Sequence, residues 1–254
     1  TENCVMQLLE FSRQLDIISI IGVPLVAGDL LLNCSVVIQR GKILGIVPKT
    51  FLPNYSECYE KRGFASSQDL RPQEIRYAGH PVFITPAPQL FRTGDGVLFG
   101  VEICEDVWAP TPPSNHLALA GAEIIFNLSA SDELIGKHDY QKSLLCQQSA
   151  RTICGYVYSG AGFGESTQDV VYGGNALIYE NGQLLAESER FAMDSQLVFA
   201  QIDVEKLNAD RRSNTTFVNA QRRMIGEEIH IGRAEAAAVP HDFTLERHVD
   251  PHPF

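Results

Sequence analysis

One cysteine of the chain, Cys104, stands where an apolar run of residues passes directly into charged ones. The run 97–103 is typical of a buried strand, and a side chain at the end of such a strand points into the loops where sites are built. A thiolate there can attack a carbonyl carbon, although the negative charges of Glu105 and Asp106 disfavour a thiolate beside them. Cys104 is therefore either a nucleophile supported by a cation from elsewhere in the chain, or a small and inert core residue.

Lys49 is the cation that the sequence offers, standing after a predicted strand and Pro48. A lysine held beside a thiol stabilises the thiolate, and its N–H groups can hold the oxyanion that forms when a carbonyl is attacked. A lysine in this position can equally be a solvated loop charge. Acyl-transfer chemistry is therefore predicted only if the fold brings Lys49 and Cys104 together.

The elements that must position these two residues are short strands and helices in alternation. Hydrophobic periodicity predicts helices over 2–15, 117–121 and 138–152, a strand over 16–24 buried on both faces, a hairpin of 33–39 with 42–47 across Arg40-Gly41, and strands over 96–103, 123–128, 156–159, 176–179, 184–187 and 197–204. Five prolines predict that 51–90 is mostly loop. This order indicates an α/β fold, which two sheets covered by helices satisfy, as does an open doubly wound sheet.

The composition argues against two classes of binding partner, nucleic acids and membranes. With 44% hydrophobic and 20% charged residues, the 254-residue chain is typical of one large globular domain. Nucleic acid is not an expected partner, because the net charge is −11 and no Lys/Arg-rich run could follow a phosphate backbone. No membrane is expected either, since the apolar runs fall far short of the roughly 20 residues that a spanning helix needs.

The cysteines and glycines add two further expectations. Six cysteines, without a CxxC pair or a Cys/His cluster at zinc-like spacing, predict reduced thiols, no metal site and a cytoplasmic location. The run Gly160-Ala-Gly-Phe-Gly164 resembles a phosphate-binding loop only superficially, because no lysine and no helical pattern follow it.

Several short motifs, taken in their order along the chain, resemble one known family. They are Pro48-Lys49, Leu52-Pro-Asn-Tyr55, Glu57, Tyr59-Glu60, Arg62 and Phe64; Gly100 with Cys104-Glu-Asp-Val-Trp108; Asn127-Leu-Ser-Ala-Ser131; Gly136-Lys137; Gly162-Phe-Gly-Glu-Ser-Thr167; and Tyr179-Glu-Asn-Gly182. From about residue 16 to about residue 217 they jointly resemble the nitrilase superfamily. Within it, the chain resembles the glutaminase domain of glutamine-dependent NAD⁺ synthetases.

The resemblance implies a nitrilase-like α-β-β-α sandwich, with two mixed sheets covered by helices and a Glu–Lys–Cys triad. Cys104 would attack the side-chain amide of L-glutamine. Lys49 and the backbone N–H of Glu105 would stabilise the oxyanion, and water would later hydrolyse the thioester to glutamate.

The same resemblance implies that Tyr55, Glu105, Ser131 and Lys137 line the glutamine pocket. An amino-acid substrate needs one partner for its α-carboxylate and another for its α-ammonium, and this set offers both. Without the family, Lys137 could equally be solvated and Ser131 could cap the helix that follows.

The family pattern is incomplete in this chain. The glutamate that acts as general base in the family would fall before Thr1, so we expect a domain truncated at its N-terminus that is weakly active or inactive alone. No Ser-Gly-Gly-x-Asp-Ser loop for pyrophosphate is present. We therefore expect no cofactor here, with ATP and Mg²⁺ acting in a separate synthetase domain of the same protein that amidates deamido-NAD⁺. Residues 1–217 are the predicted glutaminase domain, residues 218–254 an extension or linker, and a homo-oligomer is expected.

Two other functions remain open at this point. A free-standing nitrilase-family amidase acting on another small amide would need no paired charges for an amino acid. A non-catalytic assembly module would keep the fold without its general base.

Overall fold

The computed structural model describes residues 1–224 and 230–233, in which strands and helices alternate. The strands are β1 (Ser19–Ala27), β2 (Leu30–Gln39), β3 (Lys42–Pro48), β4 (Gln73–Tyr77), β5 (His80–Ile84), β6 (Gln89–Arg92), β7 (Leu98–Ile103), β8 (Ile124–Ser129), β9 (Gly155–Gly160), β10 (Ala176–Glu180), β11 (Gln183–Glu187) and β12 (His230–Arg233). The helices are α1 (Glu2–Ser12), α2 (Pro113–Leu119), α3 (Lys137–Thr152), α4 (Val204–Ser213) and α5 (Thr215–Arg222), with short 3-10 helices at Glu60–Arg62, Ser67–Asp69 and Cys104–Trp108.

Strands β1, β2 and β3 form a small antiparallel sheet. The predicted hairpin is confirmed, since β2 and β3 meet across Arg40 and Gly41, whose φ angles of 46° and 76° are those of a tight two-residue turn. The prediction that 16–24 is a strand buried on both faces is wrong. Strand β1 begins at Ser19, lies at the sheet edge, and alternates buried Val23 and Leu25 with exposed Pro24.

The larger sheet has seven strands in the order β11-β10-β9-β8-β7-β6-β12. Its central strands β7, β8 and β9 are parallel, and Ile103, Leu128 and Ser159 lie side by side near their carboxyl ends. Parallel strands deliver the loops that follow them to one edge of the sheet, which is the usual place for a site in a parallel α/β sheet. Cys104 follows β7 at this edge.

The two sheets pack face to face through an apolar layer that includes Val37, Phe91, Phe99 and Val101. The rings of Phe91 and Phe99 stack with their centroids 5.2 Å apart. Gly45 of β3 lets the sheets approach, because a Cβ atom there would lie 2.7 Å from the ring of Phe91. This layer is the inner β-β interface of the sandwich.

Helices cover the outer face of each sheet. On the small sheet, Val5 and Leu9 of α1 join the buried cluster of β1, β2 and β5. On the large sheet, Leu117 of α2 and Leu145 of α3 pack onto β8, β9 and β10. The predicted α-β-β-α sandwich is therefore confirmed.

Two predicted segments, 51–90 and 197–204, differ in the structure. The segment 51–90 contains the short strands β4, β5 and the start of β6, which its prolines had concealed. No strand forms over 197–204; α4 begins at Val204 and is capped by Asp203, whose side chain accepts a hydrogen bond from the Lys206 N–H at 2.9 Å. The predicted domain boundary at 217 falls inside α5, at the buried residue Phe217, and most of 218–254 lies outside the described residues.

None of the helices in the part of the chain that the structure describes combines the length and apolar composition needed to cross a bilayer.

Candidate active site

A cavity of about 690 Å³ opens where the edges of the two sheets meet, and Lys49, Glu60 and Cys104 all lie on its wall. Its volume is typical of pockets that hold small molecules. Lys49 follows β3 of the small sheet, whereas Cys104 follows β7 of the large one. The sandwich therefore brings together the two residues whose types suggested acyl transfer.

Cys104 is half-buried and has a φ of 47°, a left-handed conformation that only glycine adopts without strain. Such a residue costs about 1–3 kcal/mol and persists only where its surroundings fix it. Asn127 of β8 does so, because its Oδ1 accepts the Cys104 N–H at 3.1 Å while its Nδ2 donates to the Cys104 carbonyl at 3.4 Å. The thiol is thus held at the cavity wall instead of being sealed in the apolar core.

A buried polar chain continues behind Asn127. Its Nδ2 also donates to the Tyr156 hydroxyl at 3.1 Å, and that hydroxyl donates to Glu102 Oε1 at 2.5 Å. The other oxygen of Glu102 accepts the backbone N–H of Ser114 at 2.8 Å. Burial raises the pKa of Glu102 to about 7, and burial together with Glu102 raises the pKa of Tyr156. The turn at Cys104 is therefore supported by a hydrogen-bonded network that runs through β7, β8 and β9.

The ammonium of Lys49 is almost fully buried, with 3% of its side chain exposed, and Glu60 compensates its charge. Lys49 Nζ lies 2.5 Å from Glu60 Oε2, while Glu60 Oε1 accepts a hydrogen bond from Asn33 at 2.8 Å. A buried charge requires such a partner. Among the described residues, Glu60 rather than the Cys104 sulfur accepts the hydrogen bond of Lys49, so a direct contact between ammonium and thiol is not confirmed.

Asp106 forms hydrogen bonds with the segment that follows Lys49 and with the segment that precedes Cys104. Its carboxylate accepts the backbone N–H groups of Thr50 and Phe51, which follow Lys49, at 3.1 and 2.8 Å. It also accepts the N–H of Ile103, which precedes Cys104, at 2.9 Å. Burial raises the pKa of Asp106 to about 6, although these N–H groups and the Lys49 charge oppose the shift. Asp106 is therefore a structural link and not merely an unfavourable neighbour of the thiol.

Three of the four predicted glutamine-binding residues form hydrogen bonds or ion pairs near the cavity. The Tyr55 hydroxyl donates to Glu105 Oε1 at 2.6 Å. Partial desolvation of the tyrosine, together with the Glu105 carboxylate, raises its pKa. Lys137 donates to Asp132 Oδ1 at 2.5 Å and lies over the Trp108 ring, 5.6 Å from its centroid. With 22% of its side chain exposed, Lys137 is not a freely solvated charge.

Ser131 has a different environment from the other three. It lies near the hydroxyl of Tyr158 and does not cap α3, whose N-cap residue is Gly136. Within the described residues, the cavity wall includes Glu57 and Asp132 but none of the four predicted glutamine-binding side chains. Their part in binding stays a prediction.

Three residues of the site had no predicted role, namely Glu60, Glu102 and Asn127, and Asp106 was predicted only to disfavour the thiolate. Glu102 and Asn127 interrupt otherwise apolar strands, and a polar side chain in a buried strand is a usable signal. Glu60 belongs to the family motif Tyr59-Glu60, but its pairing with Lys49 depends on a turn in which the Glu60 N–H donates to the Pro53 carbonyl at 3.1 Å.

Several known proteins are similar to this chain in sequence and in fold. A family profile described as carbon-nitrogen hydrolase matches residues 2–212. The glutamine-dependent NAD(+) synthetase of Mycobacterium tuberculosis is 39% identical over 257 residues, which cover 100% of this chain and 38% of that protein.

Solved structures agree with the sequence matches. The crystal structure of a glutamine-dependent NAD(+) synthetase from Cytophaga hutchinsonii has a TM-score of 0.66 at 25% identity, over 78% of this chain and 32% of that one. The carbon-nitrogen hydrolase from Helicobacter pylori G27, with a TM-score of 0.70 at 18% identity, shares the fold over 88% of this chain and 74% of its own. Because the family profile covers most of a sequence that also adopts this sandwich, the chain belongs to the carbon-nitrogen hydrolase family.

Proposed function

We propose that the chain is the glutaminase part of a glutamine-dependent NAD⁺ synthetase, with Cys104 as the nucleophile. The observation that carries this proposal is the strained, half-buried thiol on the wall of a cavity that it shares with the buried Lys49–Glu60 pair. The relatives named above supply the substrate class, since each glutamine-dependent synthetase among them needs a source of ammonia.

The reaction has two steps. The Cys104 sulfur forms a bond to the side-chain carbonyl carbon of L-glutamine, the C–N bond breaks, and the nitrogen leaves as ammonia with the proton that the thiol has lost. Water then attacks the thioester, which releases glutamate and restores the thiol. Lys49 and the backbone N–H of Glu105 stabilise the oxyanion in both steps, as preorganised donors do where negative charge develops.

The charged side chains near the cavity suit an amino acid better than a simple amide. The α-carboxylate of glutamine needs a cation, which Lys137 supplies, and its α-ammonium needs anionic partners, which Glu105 and Asp132 supply. A nitrilase-family amidase for uncharged amides would have no use for this pairing of opposite charges. The charge pattern therefore favours glutamine over the amidase alternative.

The chain spans 38% of the length of its Mycobacterium tuberculosis relative. We propose that the released ammonia reaches a synthetase domain of the same protein, where ATP and Mg²⁺ support the amidation of deamido-NAD⁺. A cytoplasmic location is consistent with all six cysteines being unpaired. A homo-oligomer is part of the same proposal.

Two measurements test the glutaminase proposal. The first is ammonia release by the full-length protein from glutamine and from propionamide, which lacks the α-groups; glutamine should be strongly preferred, and Cys104→Ala should lose at least about 10³-fold in rate. Lys49→Met should be similarly impaired, whereas the control Lys61→Met, on the exposed 3-10 helix nearby, should keep the wild-type rate.

The second measurement needs no turnover. A diazoketone analogue of glutamine should alkylate Cys104, which peptide mass spectrometry detects, and free glutamine should protect it. A preference for propionamide would support the amidase alternative. Labelling of Cys104 no faster than of the exposed Cys4 would support a non-catalytic module.

A further inference from the structure

A second group of ligand-type side chains lies on the wall of the same cavity. One oxygen of Glu57, the sulfur of Cys58 and one oxygen of Asp132 all lie within 4.8 Å of one another. All three residues line the cavity that Cys104 lines. We propose that they form a binding site for a thiophilic divalent cation such as Zn²⁺, and that an ion bound there blocks the cavity reversibly.

The chain holds the first two ligands in a fixed turn. The Cys58 N–H donates to the Tyr55 carbonyl at 2.8 Å, and Ser56 between them has a φ of 49°. Glu57 and Cys58 therefore reach the cavity from one short segment. Asp132 arrives from the opposite side, after β8, where it forms an isolated antiparallel bridge with Tyr172.

Asp132 gives an independent indication of a missing ligand. Only 8% of this residue is exposed, and its Oδ2 has no hydrogen-bond partner among the described residues. The other oxygen, Oδ1, is occupied by Lys137. A buried carboxylate oxygen without a donor is unfavourable, and a cation at the centre of the three ligands would satisfy it.

The donor set selects the kind of cation. One thiolate with two carboxylate oxygens suits zinc, whereas magnesium and calcium prefer oxygen ligands alone. Three protein ligands leave one tetrahedral position for water, as in zinc sites that stay open. Lys137 beside Asp132 opposes the added positive charge, so we expect weaker binding than at a structural zinc site.

Direct binding is the decisive measurement, and it is independent of the proposed glutaminase activity. Zinc chloride would be titrated calorimetrically into the Cys104→Ala chain, which leaves Cys58 and the fully buried Cys34 as the thiols on the cavity wall. One equivalent should bind. Cys58→Ser should weaken binding at least about tenfold, Glu57→Gln should weaken it less, and Cys4→Ser, on the exposed face of α1, should leave it unchanged.

Cobalt gives a second readout. Co²⁺ should produce a sulfur-to-metal charge-transfer band that disappears in Cys58→Ser, with circular dichroism confirming that this variant is folded. In the chain that retains Cys104, zinc should slow alkylation of that thiol, and a chelator should restore it. Zinc binding and a cobalt band that persist in Cys58→Ser, or no binding by Cys104→Ala, would overturn the proposal.

Discussion

At the scale of single residues, the site depends on side chains that hold others in place. Asn127 hydrogen-bonds both the N–H and the carbonyl of Cys104, and Glu60 compensates the buried charge of Lys49. Neither of these supporting residues has to touch the substrate. Their loss is expected to reduce the rate of reaction more than the binding of glutamine, because small displacements of reacting groups are costly.

Asn127→Ala should therefore lower kcat for glutamine hydrolysis about 10–100-fold, with little change in KM. The reason is that the left-handed turn at Cys104 loses the side chain that holds it, while the cavity wall stays intact. Steady-state kinetics with glutamine as substrate measure kcat and KM separately. Asn181→Ala is the matched control, since Asn181 bonds to Asp210 far from the nucleophile and should leave both constants unchanged. An unaltered kcat in Asn127→Ala would contradict the assigned role.

At the scale of elements, strand β7 carries a buried carboxyl group into the sheet. Glu102 accepts hydrogen bonds from Tyr156 and from the start of α2, and burial raises its pKa to about 7. Since a carboxyl group in the unfolded chain titrates near 4.5, the folded state binds the extra proton between about pH 4.5 and pH 7. The contribution of Glu102 to stability therefore falls as the pH rises through that window.

Comparison with Glu102→Gln isolates this contribution. The free energy of unfolding of the wild type, minus that of the variant, should decrease by up to about 3 kcal/mol between pH 4.5 and pH 7 and then stay level. Urea denaturation at pH 5 and pH 8 measures the free energy of unfolding of both proteins. A difference that does not change with pH would show that Glu102 titrates normally.

The local patterns of the sequence predicted most of these elements. The hairpin β2–β3, the apolar strands β7 and β8, and helix α3 follow from runs of apolar residues and turn residues, which act locally. The hydrogen bonds of Asp106 to Thr50 and Phe51, and the pairing of Glu60 with Lys49, join parts of the chain that only the folded sandwich brings together. No periodicity encodes such contacts, so Lys49 and Cys104 were predictable while their supports were not.

Helices α4 and α5 were also not predicted, because the segments over 204–222 are mostly polar. The amphipathic signal of α4 is weak because one of its two buried residues, Arg211, is charged. Burial of a charge is invisible to a hydrophobicity pattern.

At the scale of the whole molecule, Arg211 fastens α4 and α5 to the sandwich. Its guanidinium donates to the carbonyls of Ile153 and Ala122 at 2.8 and 2.7 Å, and to that of Thr152 at 3.1 Å. It also lies over the Phe217 ring, 4.9 Å from its centroid. One side chain thus joins the last two helices to the ends of α3 and of the loop before β8.

Arg211→Met should lower the free energy of unfolding by at least about 2 kcal/mol, because buried carbonyl groups lose a charged donor. Arg212→Met is the matched control: Arg212 is the next residue of the same helix but is exposed, so its loss should change stability by less than about 0.5 kcal/mol. Urea denaturation followed by circular dichroism compares the two. Equal effects would mean that Arg211 does not fasten the helices.

The left-handed backbone at Cys104 implies a trade-off between stability and activity. Glycine adopts a φ of 47° freely, whereas alanine bears the same steric penalty as cysteine. Both Cys104→Gly and Cys104→Ala remove the proposed nucleophile, yet the glycine variant should melt at a higher temperature than the alanine variant. Differential scanning calorimetry would register that gap, and a more stable alanine variant would contradict it. The proposed nucleophile would then occupy a position at which glycine, which has no side chain, makes the fold more stable.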